Sequence, residues 1–254
     1  MKVYDAPSIR NVALVGHSGS GKTQLASAML FDADAVNRLG RVDEGTTVTD
    51  FDEEEIARRH TLSASPAYAE WKKTKINLID TPGIVNFFSD TCCALPVADA
   101  AVVVVDADHG AVVITEKVWN EAAALDLPCV VVLNRLGRER GSLQRSLESL
   151  QSAFGRTVVP IQLPIGVEDE LRGVIDLVAM TAITFGDDGR TVSIGEVSDE
   201  LAAEADDRLM EQFFEASTLT QEELLVGLQA ATAARRVFPL CVRRQRRTWV
   251  SSRF

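Results

Sequence analysis

Residues Gly16–Thr23 read GHSGSGKT and fit the pattern Gly-x-x-x-x-Gly-Lys-Thr. This loop follows the apolar run Asn11–Val15 and precedes the helix-like stretch Gln24–Leu30. A strand, a glycine-rich turn and a helix in this order are the context in which the pattern binds phosphate. The glycines let successive backbone N–H groups converge on one concavity, and the N-terminus of the following helix favours negative charge there. The sequence therefore predicts a phosphate-binding loop.

All residues of this loop are candidates for nucleotide binding, and two of them have specific roles. The ammonium group of Lys22 would reach the terminal phosphates, and the Thr23 hydroxyl would bind a magnesium ion. The candidates in the loop are Gly16, His17, Ser18, Gly19, Ser20, Gly21, Lys22 and Thr23.

The composition is that of a chain with a substantial hydrophobic core. Hydrophobic residues make up 46% of the 254 residues, and this length fits one large or two small domains. No apolar run approaches the ~18 residues of a membrane span, and the N-terminus contains no apolar signal region. The cysteines form no Cys-x-x-Cys pair, and the histidines lack zinc-ligand spacing. We expect a cytoplasmic protein with reduced thiols, no membrane contact and no transition-metal site.

The net charge of −11 is distributed unevenly along the chain. Residues 235–254 contain seven arginines and no acidic residue, and subtracting these charges leaves −18 for residues 1–234. A strongly acidic body argues against broad electrostatic binding of nucleic acid, so we expect no sequence-specific nucleic-acid partner. A basic terminal run is more often a solvated end than a binding site, although contact with RNA through a small patch stays open.

Four apolar, β-branched runs predict buried parallel strands. They span residues 12–15, 76–79, 101–105 and 130–133, and helical patterns at 113–125 and 142–154 separate the later ones. Alternating strands and helices predict an open, mainly parallel sheet with helices on both faces. Ligands bind at the carboxyl ends of such strands, which in this chain are followed or closed by Gly16, Asp80, Asp106 and Asn134. The predicted fold class is therefore α/β, of the P-loop NTPase type.

The pattern changes after residue 157, where we predict a domain boundary. Residues 1–157 form the predicted core, residues 158–236 an inserted α+β subdomain, and residues 237–254 a return to the core followed by a basic tail. In the insertion, Val158–Leu163 resembles a strand, and hairpins are predicted around the Asp187–Gly189 turn, at 174–185 and 191–194. Two helices are predicted, one at 200–216 and one from Thr220, where Thr220–Glu223 reads as a capping box.

The second chemical motif is Asp80-Thr-Pro-Gly83, directly after the predicted strand at 76–79. An aspartate that ends a strand near a phosphate loop holds magnesium directly or through water, and the Gly83 N–H would sense the γ-phosphate. Asp-x-x-Gly alone is a weak signal because turns contain many of them, but its place at the end of an apolar strand strengthens it. The motif adds the nucleotide-binding candidates Asp80, Thr81, Pro82 and Gly83.

The third motif is Thr61, in the charged segment Glu53–Leu62 that reads EEEIARRHTL. We predict neither a strand nor a helix in this segment. It is either a solvated loop or a switch that becomes ordered when Thr61 meets magnesium and the γ-phosphate. In the second interpretation, Thr61 joins Thr23 and Asp80 as the predicted magnesium ligands.

The fourth motif is Asn134-Arg-Leu-Gly137, at the end of the predicted strand at 130–133. Nucleotide switches that prefer guanine usually carry Asn-Lys-x-Asp here, and the aspartate accepts two hydrogen bonds from the guanine edge. Bonds to a charged group are worth about 1.5–3 kcal/mol each. Gly137 has no side chain to accept them, whereas the flat cation of Arg135 is able to lie against a base. Asn134 and Arg135 are therefore binding candidates at a site with weak base selectivity.

These four motifs, in this order, resemble the GTPase domain of bacterial elongation factor G, a translational GTPase. Thr49–Thr61 resembles the first switch of that family, and Val159–Gly166 resembles the sequence after its guanine motif. Gly173–Val178 resembles the continuation into the subdomain that elongation factor G carries within its GTPase domain. The resemblance covers residues 9–241 and is greatest for the divergent, second-copy type of the factor.

The resemblance implies binding of GTP and GDP together with Mg²⁺. It implies in-line attack of water on the γ-phosphate, with Lys22 and Thr61 as catalytic residues. It also implies the ribosome as partner, since the full-length family acts in ribosomal translocation. We further expect a monomer.

Two more departures from the family pattern affect the expected chemistry. In the family a histidine after Asp-Thr-Pro-Gly positions the attacking water, and Ile84 takes its place here. Positioning residues contribute roughly 10²–10⁴-fold, so we expect slow hydrolysis. The Ser-Ala loop that backs the base should follow Phe238–Cys241, but Val242–Trp249 has no such pattern. We expect a frame-shifted or truncated end from about residue 242, without the later domains of the family.

Two alternative functions stay open at this level. The chain is alternatively a non-catalytic or non-functional nucleotide-binding fragment with poor guanine selectivity, to which GTP, GDP, ATP and ADP would bind equally and weakly. The second alternative is a P-loop ATPase or small-molecule kinase, because the guanine-reading aspartate is absent at Gly137. The spacing of Thr61 and Asp80 and the inserted subdomain argue against this second alternative.

Overall fold

The computed structural model describes residues 3–138, 140–166, 170–185, 191–197 and 220–243, which form two sheets. The seven-stranded sheet contains β1 (Ile9–Val15), β2 (Ser65–Trp71), β3 (Thr74–Asp80), β4 (Ala100–Asp106), β5 (Cys129–Asn134), β6 (Val158–Pro160) and β11 (Phe238–Arg243). The four-stranded sheet contains β7 (Gln162–Ile165), β8 (Gly173–Asp176), β9 (Thr181–Phe185) and β10 (Thr191–Glu196). The described α-helices are α1 (Lys22–Asp32), α2 (Glu53–Arg58), α3 (Phe88–Ala94), α4 (Val113–Ala124), α5 (Leu143–Phe154) and α6 (Gln221–Ala233).

The larger sheet has the strand order β2-β3-β1-β4-β5-β11-β6, and only its edge strand β2 runs antiparallel. Because β1, β3, β4 and β5 are parallel, their carboxyl ends meet at one edge. Register pairs Leu14 with Asp80 and Asp106 with Asn134, which brings the predicted strand-end residues together. The predicted α/β fold with a mainly parallel sheet is confirmed.

Apolar side chains cover both faces of this sheet. On one face Leu25 and Ala26 of α1 pack against Leu14, Val104 and Val132 of the strands. On the other face α4 and α5 bury a large cluster, in which the Trp119 ring stacks on Phe154 at 4.2 Å between ring centroids. Helix α5 presents Leu143, Leu147 and Leu150 to this cluster, a spacing of four and three residues that places them on one side of the helix.

The predicted strand at Val158–Leu163 is wrong as a single element. The chain forms β6 up to Pro160, leaves the larger sheet at Ile161 and starts the smaller sheet with β7. Ile161 connects the two sheets, since its N–H donates to the Leu240 carbonyl of β11 at 3.0 Å and its carbonyl accepts a hydrogen bond from the Leu177 N–H at 3.0 Å. The run therefore divides between the two sheets at this residue.

The expectation that Glu53–Leu62 contains no helix is also wrong. Helix α2 spans Glu53–Arg58, and the Asp52 carboxylate caps it by accepting a hydrogen bond from the Glu54 N–H at 2.8 Å. Three acidic residues in the first turn stabilise the helix, because their negative charges lie at the positive end of the helix dipole. Because the segment has no apolar periodicity, its helix signals were the Asp52 cap and the acidic first turn.

The smaller sheet is antiparallel and includes the predicted β9–β10 hairpin. The predicted capping box is present, since Thr220 N–H donates to Glu223 Oε2 at 2.9 Å and Glu223 N–H donates to Thr220 Oγ1 at 3.3 Å. The turn predicted at Asp187–Gly189 and the helix predicted at 200–216 lie outside the described residues. The boundaries proposed for the domains stay a prediction.

Strand β11 extends to Arg243, two residues beyond the point at which the sequence pattern was expected to break. Val242 pairs with Leu133 and Arg243 with Asn134, and both side chains are buried. Residues 244–254 lie outside the described part of the chain. The last described strand therefore completes the sheet between β5 and β6.

Candidate nucleotide-binding site

The loop between β1 and α1 depends on glycines where other side chains would clash. Gly16 has φ +135°, and a Cβ there would collide with the carbonyl oxygen of Val104. Gly21 has φ +93°, and a Cβ there would collide with the amide nitrogen of Asn134. Both residues lie in the region that glycine adopts without strain. The loop therefore runs close to β4 and β5 and leads directly into the N-terminus of α1.

Lys22 lies across this loop and is almost fully buried. Its Nζ donates hydrogen bonds to the carbonyl oxygens of Gly16 at 3.0 Å and His17 at 3.1 Å. Burial lowers the pKa of Lys22 to about 8, although the negative charges of Asp80 and Asp50 oppose this shift. A polyphosphate at this position would supply the charge compensation that the two carbonyl groups provide only in part.

The three predicted magnesium ligands lie close together. The hydroxyl oxygens of Thr23 and Thr61 are 2.9 Å apart, and Asp80 lies close enough for the Thr23 hydroxyl to lower the pKa of its carboxyl group. Asp80 is fully buried; its Oδ2 accepts a hydrogen bond from Thr49 at 3.0 Å, while its Oδ1 has no hydrogen-bond partner in the part of the chain that the structure describes. Two hydroxyl groups and an unpaired carboxylate oxygen are hard oxygen ligands that fit Mg²⁺.

The ionised form of Asp80 is destabilised by burial when no cation is bound. Burial raises its pKa to about 6, against the opposing effects of the Lys22 charge and the Thr23 and Thr49 hydroxyl groups. A buried carboxylate without full compensation favours either protonation or a bound cation. A cation bound beside Asp80 would therefore stabilise its ionised carboxylate.

Sequence reasoning did not identify Asp50, which is buried beside the predicted ligands. Its Oδ1 accepts a hydrogen bond from the Thr61 hydroxyl at 2.9 Å, and burial raises its pKa. Because Thr61 donates its single proton to Asp50, Thr23 is the donor in the contact between the two threonines. The Thr49-Asp50 pair was the available signal, since it starts the stretch that ends at Thr61.

Helix α2 fixes the chain that follows Thr61. The Glu55 carboxylate is buried and accepts hydrogen bonds from the backbone N–H groups of Leu62 at 2.8 Å and Ser63 at 3.1 Å. These bonds tie the helix to the segment directly after the threonine. Adjacent to Thr61, the Nδ1 atom of His60 lies 3.3 Å from the Ser18 hydroxyl of the phosphate loop.

The Asp80–Gly83 motif is held by hydrogen bonds to β1, α3 and the phosphate loop. Thr81 donates through its hydroxyl to the Leu14 carbonyl at 2.7 Å, and Gly83 accepts a hydrogen bond from the Ser18 N–H at 2.8 Å. A Cβ at Gly83 would lie 2.5 Å from the Lys22 ammonium. Pro82 is buried and accepts a hydrogen bond from the Thr91 hydroxyl of α3. The motif therefore lies directly beside the groups expected to bind the terminal phosphate.

The predicted base-side residues form a separate group. Asn134 is fully buried; its amide donates to the Ser20 carbonyl at 2.8 Å, and its Oδ1 accepts a hydrogen bond from the Arg135 N–H at 3.0 Å. The Arg135 guanidinium donates to the carboxylate of Asp106 at 2.6 Å. The sequence pattern predicted the position of Asp106 at the sheet edge, but it did not predict the ion pair between Asp106 and Arg135. Gly137 follows in the turn and adds no acceptor.

A cavity of about 170 Å³ lies between these groups. Its wall includes Ser18, Lys22, Thr23, His60, Thr61 and Arg135, which come from the loop, the first switch segment and the end of β5. Seven predicted site residues contribute no part of this wall: Gly16, His17, Ser20, Asp80, Thr81, Pro82 and Asn134. Among the described residues, no group of three or more His, Cys, Asp and Glu side chains forms a further metal cluster.

Comparison with known proteins gives a match over nearly the whole chain. Residues 7–238 match the family described as "Elongation factor Tu GTP binding domain". The structure is similar to the crystal structure of a protein from Thermus thermophilus, with a TM-score of 0.81 and 33% sequence identity. The similarity covers 95% of this chain and 38% of the Thermus chain.

None of the helices in the described part of the chain combines the length and apolarity needed to cross a membrane. The family match includes the phosphate loop, the Thr61 segment, the Asp80–Gly83 motif and the Asn134–Gly137 motif, in the positions described above. The Thermus structure independently supports the same fold, including the smaller antiparallel sheet. The chain therefore belongs to the elongation factor Tu GTP-binding domain family and is an elongation factor G-like GTPase domain.

Proposed function

We propose that this chain binds GTP and GDP together with Mg²⁺ and hydrolyses GTP slowly. One observation carries the proposal: the Thr23 and Thr61 hydroxyl groups meet beside Asp80, whose buried Oδ1 has no hydrogen-bond partner among the described residues. A carboxylate that is buried, unpaired and adjacent to two hydroxyl groups on a phosphate-binding loop is suited to a magnesium–triphosphate complex.

The residues of the site would act mainly by positioning and by electrostatic stabilisation. The loop N–H groups and the N-terminus of α1 hold the phosphates, and the Lys22 ammonium stabilises the charge that develops on the γ-phosphate. Thr61 orders the first switch segment against the loop through Thr23. The ion, when bound, neutralises negative charge on the phosphate oxygens. Lys22 and Thr61 are therefore the proposed catalytic residues.

Slow hydrolysis follows from Ile84. This residue comes directly after Gly83, which lies beside the Lys22 ammonium, so its side chain starts near the expected γ-phosphate. An isoleucine makes no hydrogen bond to an attacking water. Loss of a positioning group costs roughly 10²–10⁴-fold.

Weak base selectivity follows from the base-side residues. The Arg135 guanidinium is fixed by Asp106 and offers a flat cation against which any purine is able to stack. Gly137 supplies none of the charged hydrogen bonds that would distinguish guanine from adenine. A nucleotide-binding chain with little catalysis is the second candidate function. The observation that favours it is that Ile84 and Gly137 both depart from the family motifs.

The wider cellular role is also a proposal, because the chain spans 38% of the length of the Thermus protein it resembles. Family membership supports the ribosome as partner in the cytoplasm. The acidic body supports the absence of sequence-specific nucleic-acid binding. A monomer is proposed, and sedimentation of the purified chain would test it.

Calorimetric titration with GTP, GDP, ATP and ADP, with Mg²⁺ and with EDTA, tests the proposal. We expect GTP and GDP to bind more tightly with Mg²⁺, with only a small preference over the adenine nucleotides. Phosphate release from GTP should then exceed the buffer rate. Absence of binding by all four nucleotides would exclude the function, and binding without phosphate release would favour the second candidate.

A further inference from the structure

Ile84 occupies the position at which the resembled family has its water-positioning histidine. The chain has histidines at other positions. There are three in the sequence, His17, His60 and His109. An imidazole that reaches the expected γ-phosphate from another segment would be able to take over part of the same task.

His60 is the histidine that lies at the wall of the phosphate cavity. It directly precedes Thr61, whose hydroxyl is 2.9 Å from that of Thr23. Its Nδ1 is 3.3 Å from the Ser18 hydroxyl. The imidazole is thus brought to the phosphate loop by the same switch segment that brings the predicted magnesium ligand.

Ser18 connects this ring to the place of the missing histidine. Its hydroxyl contacts His60, while its N–H donates to the Gly83 carbonyl at 2.8 Å, one residue before Ile84. The first switch segment and the Asp80–Gly83 motif therefore meet at Ser18.

The other two histidines lie elsewhere. His109 is 66% exposed, and its Nδ1 is 3.8 Å from Asp106 on the base side of the sheet edge. His17 is largely exposed and absent from the cavity wall, and partial burial together with the Lys22 charge lowers the pKa of its ring. Neither ring contacts Ser18 or the Thr61 segment in the hydrogen bonds of the described residues. Only His60 combines cavity access with a fixed contact to the loop.

We propose that His60 positions the attacking water for GTP hydrolysis in place of the residue at position 84; the proposal rests on the function proposed above. An unprotonated ring nitrogen accepts a hydrogen bond from the water, and Ser18 fixes the ring. The water oxygen forms a bond to the γ-phosphorus as the bond from phosphorus to the β–γ bridging oxygen breaks. The electron pair of that bond stays on GDP, and the water protons leave with the phosphate and the solvent. The charged residues that line the same cavity are Lys22, Asp43, Asp50, Arg59 and Arg135.

Single-turnover GTP hydrolysis with Mg²⁺ tests this role. We expect His60→Ala to lower the rate about 10- to 100-fold while the Kd values for GTP and GDP change less than about twofold. His60→Gln should retain an intermediate rate, because an amide is also able to hydrogen-bond to water. Arg58→Ala is the matched control: it removes an exposed ion pair with Glu54 on the same switch helix and should leave the rate unchanged.

A second readout does not depend on turnover. In a spectrum of ¹³C-labelled histidine, the three ring signals are assigned with His→Ala variants. We expect the His60 signal to shift more with a non-hydrolysable GTP analogue than with GDP, since only the triphosphate presents a γ-phosphate. The His109 signal should shift by the same amount with both.

The outcomes separate this inference from the proposed function. An unchanged rate in His60→Ala, or equal losses in His60→Ala and Arg58→Ala, would overturn the role of His60 and leave the GTPase proposal standing. A proportional loss of GTP affinity would make His60 a binding residue instead. A wild-type chain that binds GTP but releases no phosphate would overturn both.

Discussion

The phosphate half and the base half of the site are built very differently. On the phosphate side, Lys22 and Thr23 of the loop, Thr61 and Asp80 come from three segments; all four are buried, and the Thr23 and Thr61 hydroxyl groups are hydrogen-bonded to each other. On the base side, Arg135 is held by Asp106, and the neighbouring Gly137 contributes no side chain. The residues proposed to bind phosphate and the cation follow the motifs of the resembled family, whereas Ile84 and Gly137, at the positions proposed for water positioning and base reading, depart from them.

The largest expected effect is on the phosphate half. Lys22→Ala removes the ammonium that faces the terminal phosphates, and charged hydrogen bonds are worth about 1.5–3 kcal/mol each. We expect the affinity for GTP to fall about 100-fold or more in calorimetric titration. Lys117→Ala, on the exposed side of α4, is the matched control and should bind as the wild type does. A Lys22→Ala chain with unchanged affinity would show that phosphate binds elsewhere.

Restoring the missing histidine should affect rate rather than affinity. Ile84→His places a hydrogen-bonding ring after Gly83, and we expect GTP hydrolysis to accelerate about 10- to 100-fold. Ile84→Leu, which keeps an apolar side chain, should leave the rate unchanged. If Ile84→His hydrolyses GTP at the wild-type rate, Ile84 does not limit turnover. Single-turnover phosphate release measures both variants.

The buried carboxylate of Asp80 should make the stability of the nucleotide-free chain depend on pH. Its pKa is about 6 when folded and 3.8 in the reference state, so the folded chain binds more protons between these values. Stability then falls as pH rises through this window, by about 1.4 kcal/mol per pKa unit. We expect Asp80→Asn to lose about 2 kcal/mol of the difference in unfolding free energy between pH 4 and pH 7.

Urea denaturation at the two pH values measures this effect, and the difference between variant and wild type removes the contribution of the other acids. If the unfolding free energy of Asp80→Asn depends on pH as strongly as that of the wild type, the charge of Asp80 is already compensated by its neighbours. Mg²⁺ and GTP should reduce the wild-type slope, because the ion supplies the missing positive charge.

The smallest expected effect is on the base half. Gly137→Asp returns a carboxylate to the position that accepts two hydrogen bonds from guanine in the resembled family. We expect the ratio of ADP to GDP dissociation constants to rise about tenfold, equivalent to about 1.4 kcal/mol. Gly137→Ala controls for the loss of glycine and should leave the ratio near its wild-type value. No change in Gly137→Asp would indicate that another group reads the base.

The elements with strong local patterns were predictable from sequence. Runs such as Val130–Leu133 mark buried strands, and parallel pairing then brings Asp80 and Asn134 to one sheet edge. Helix α2 was not predictable from periodicity, because its acidic sequence has no apolar face and its signal lies in the Asp52 cap. The break at Pro160 shows the same limit: a β-favouring run does not reveal which sheet each half joins.

Side-chain partners distant in the chain were the least predictable part of the site. The Ser18–His60 contact joins residues 42 positions apart, and the Asp106–Arg135 pair joins residues 29 positions apart. Each depends on how two loops meet above the sheet, which the pattern of a single segment does not encode. Asp50 was missed for the same reason, since its partner Thr61 reaches it only after α2 turns the chain back.

Titration of GTP with and without Mg²⁺, in the wild type and in Thr23→Ala, tests the central claim most directly. The account predicts that Mg²⁺ tightens GTP binding to the wild type about tenfold or more, and that Thr23→Ala loses most of this gain. Equal GTP affinity with Mg²⁺ and with EDTA in the wild type would contradict the claim that the phosphate half of the site binds GTP together with Mg²⁺.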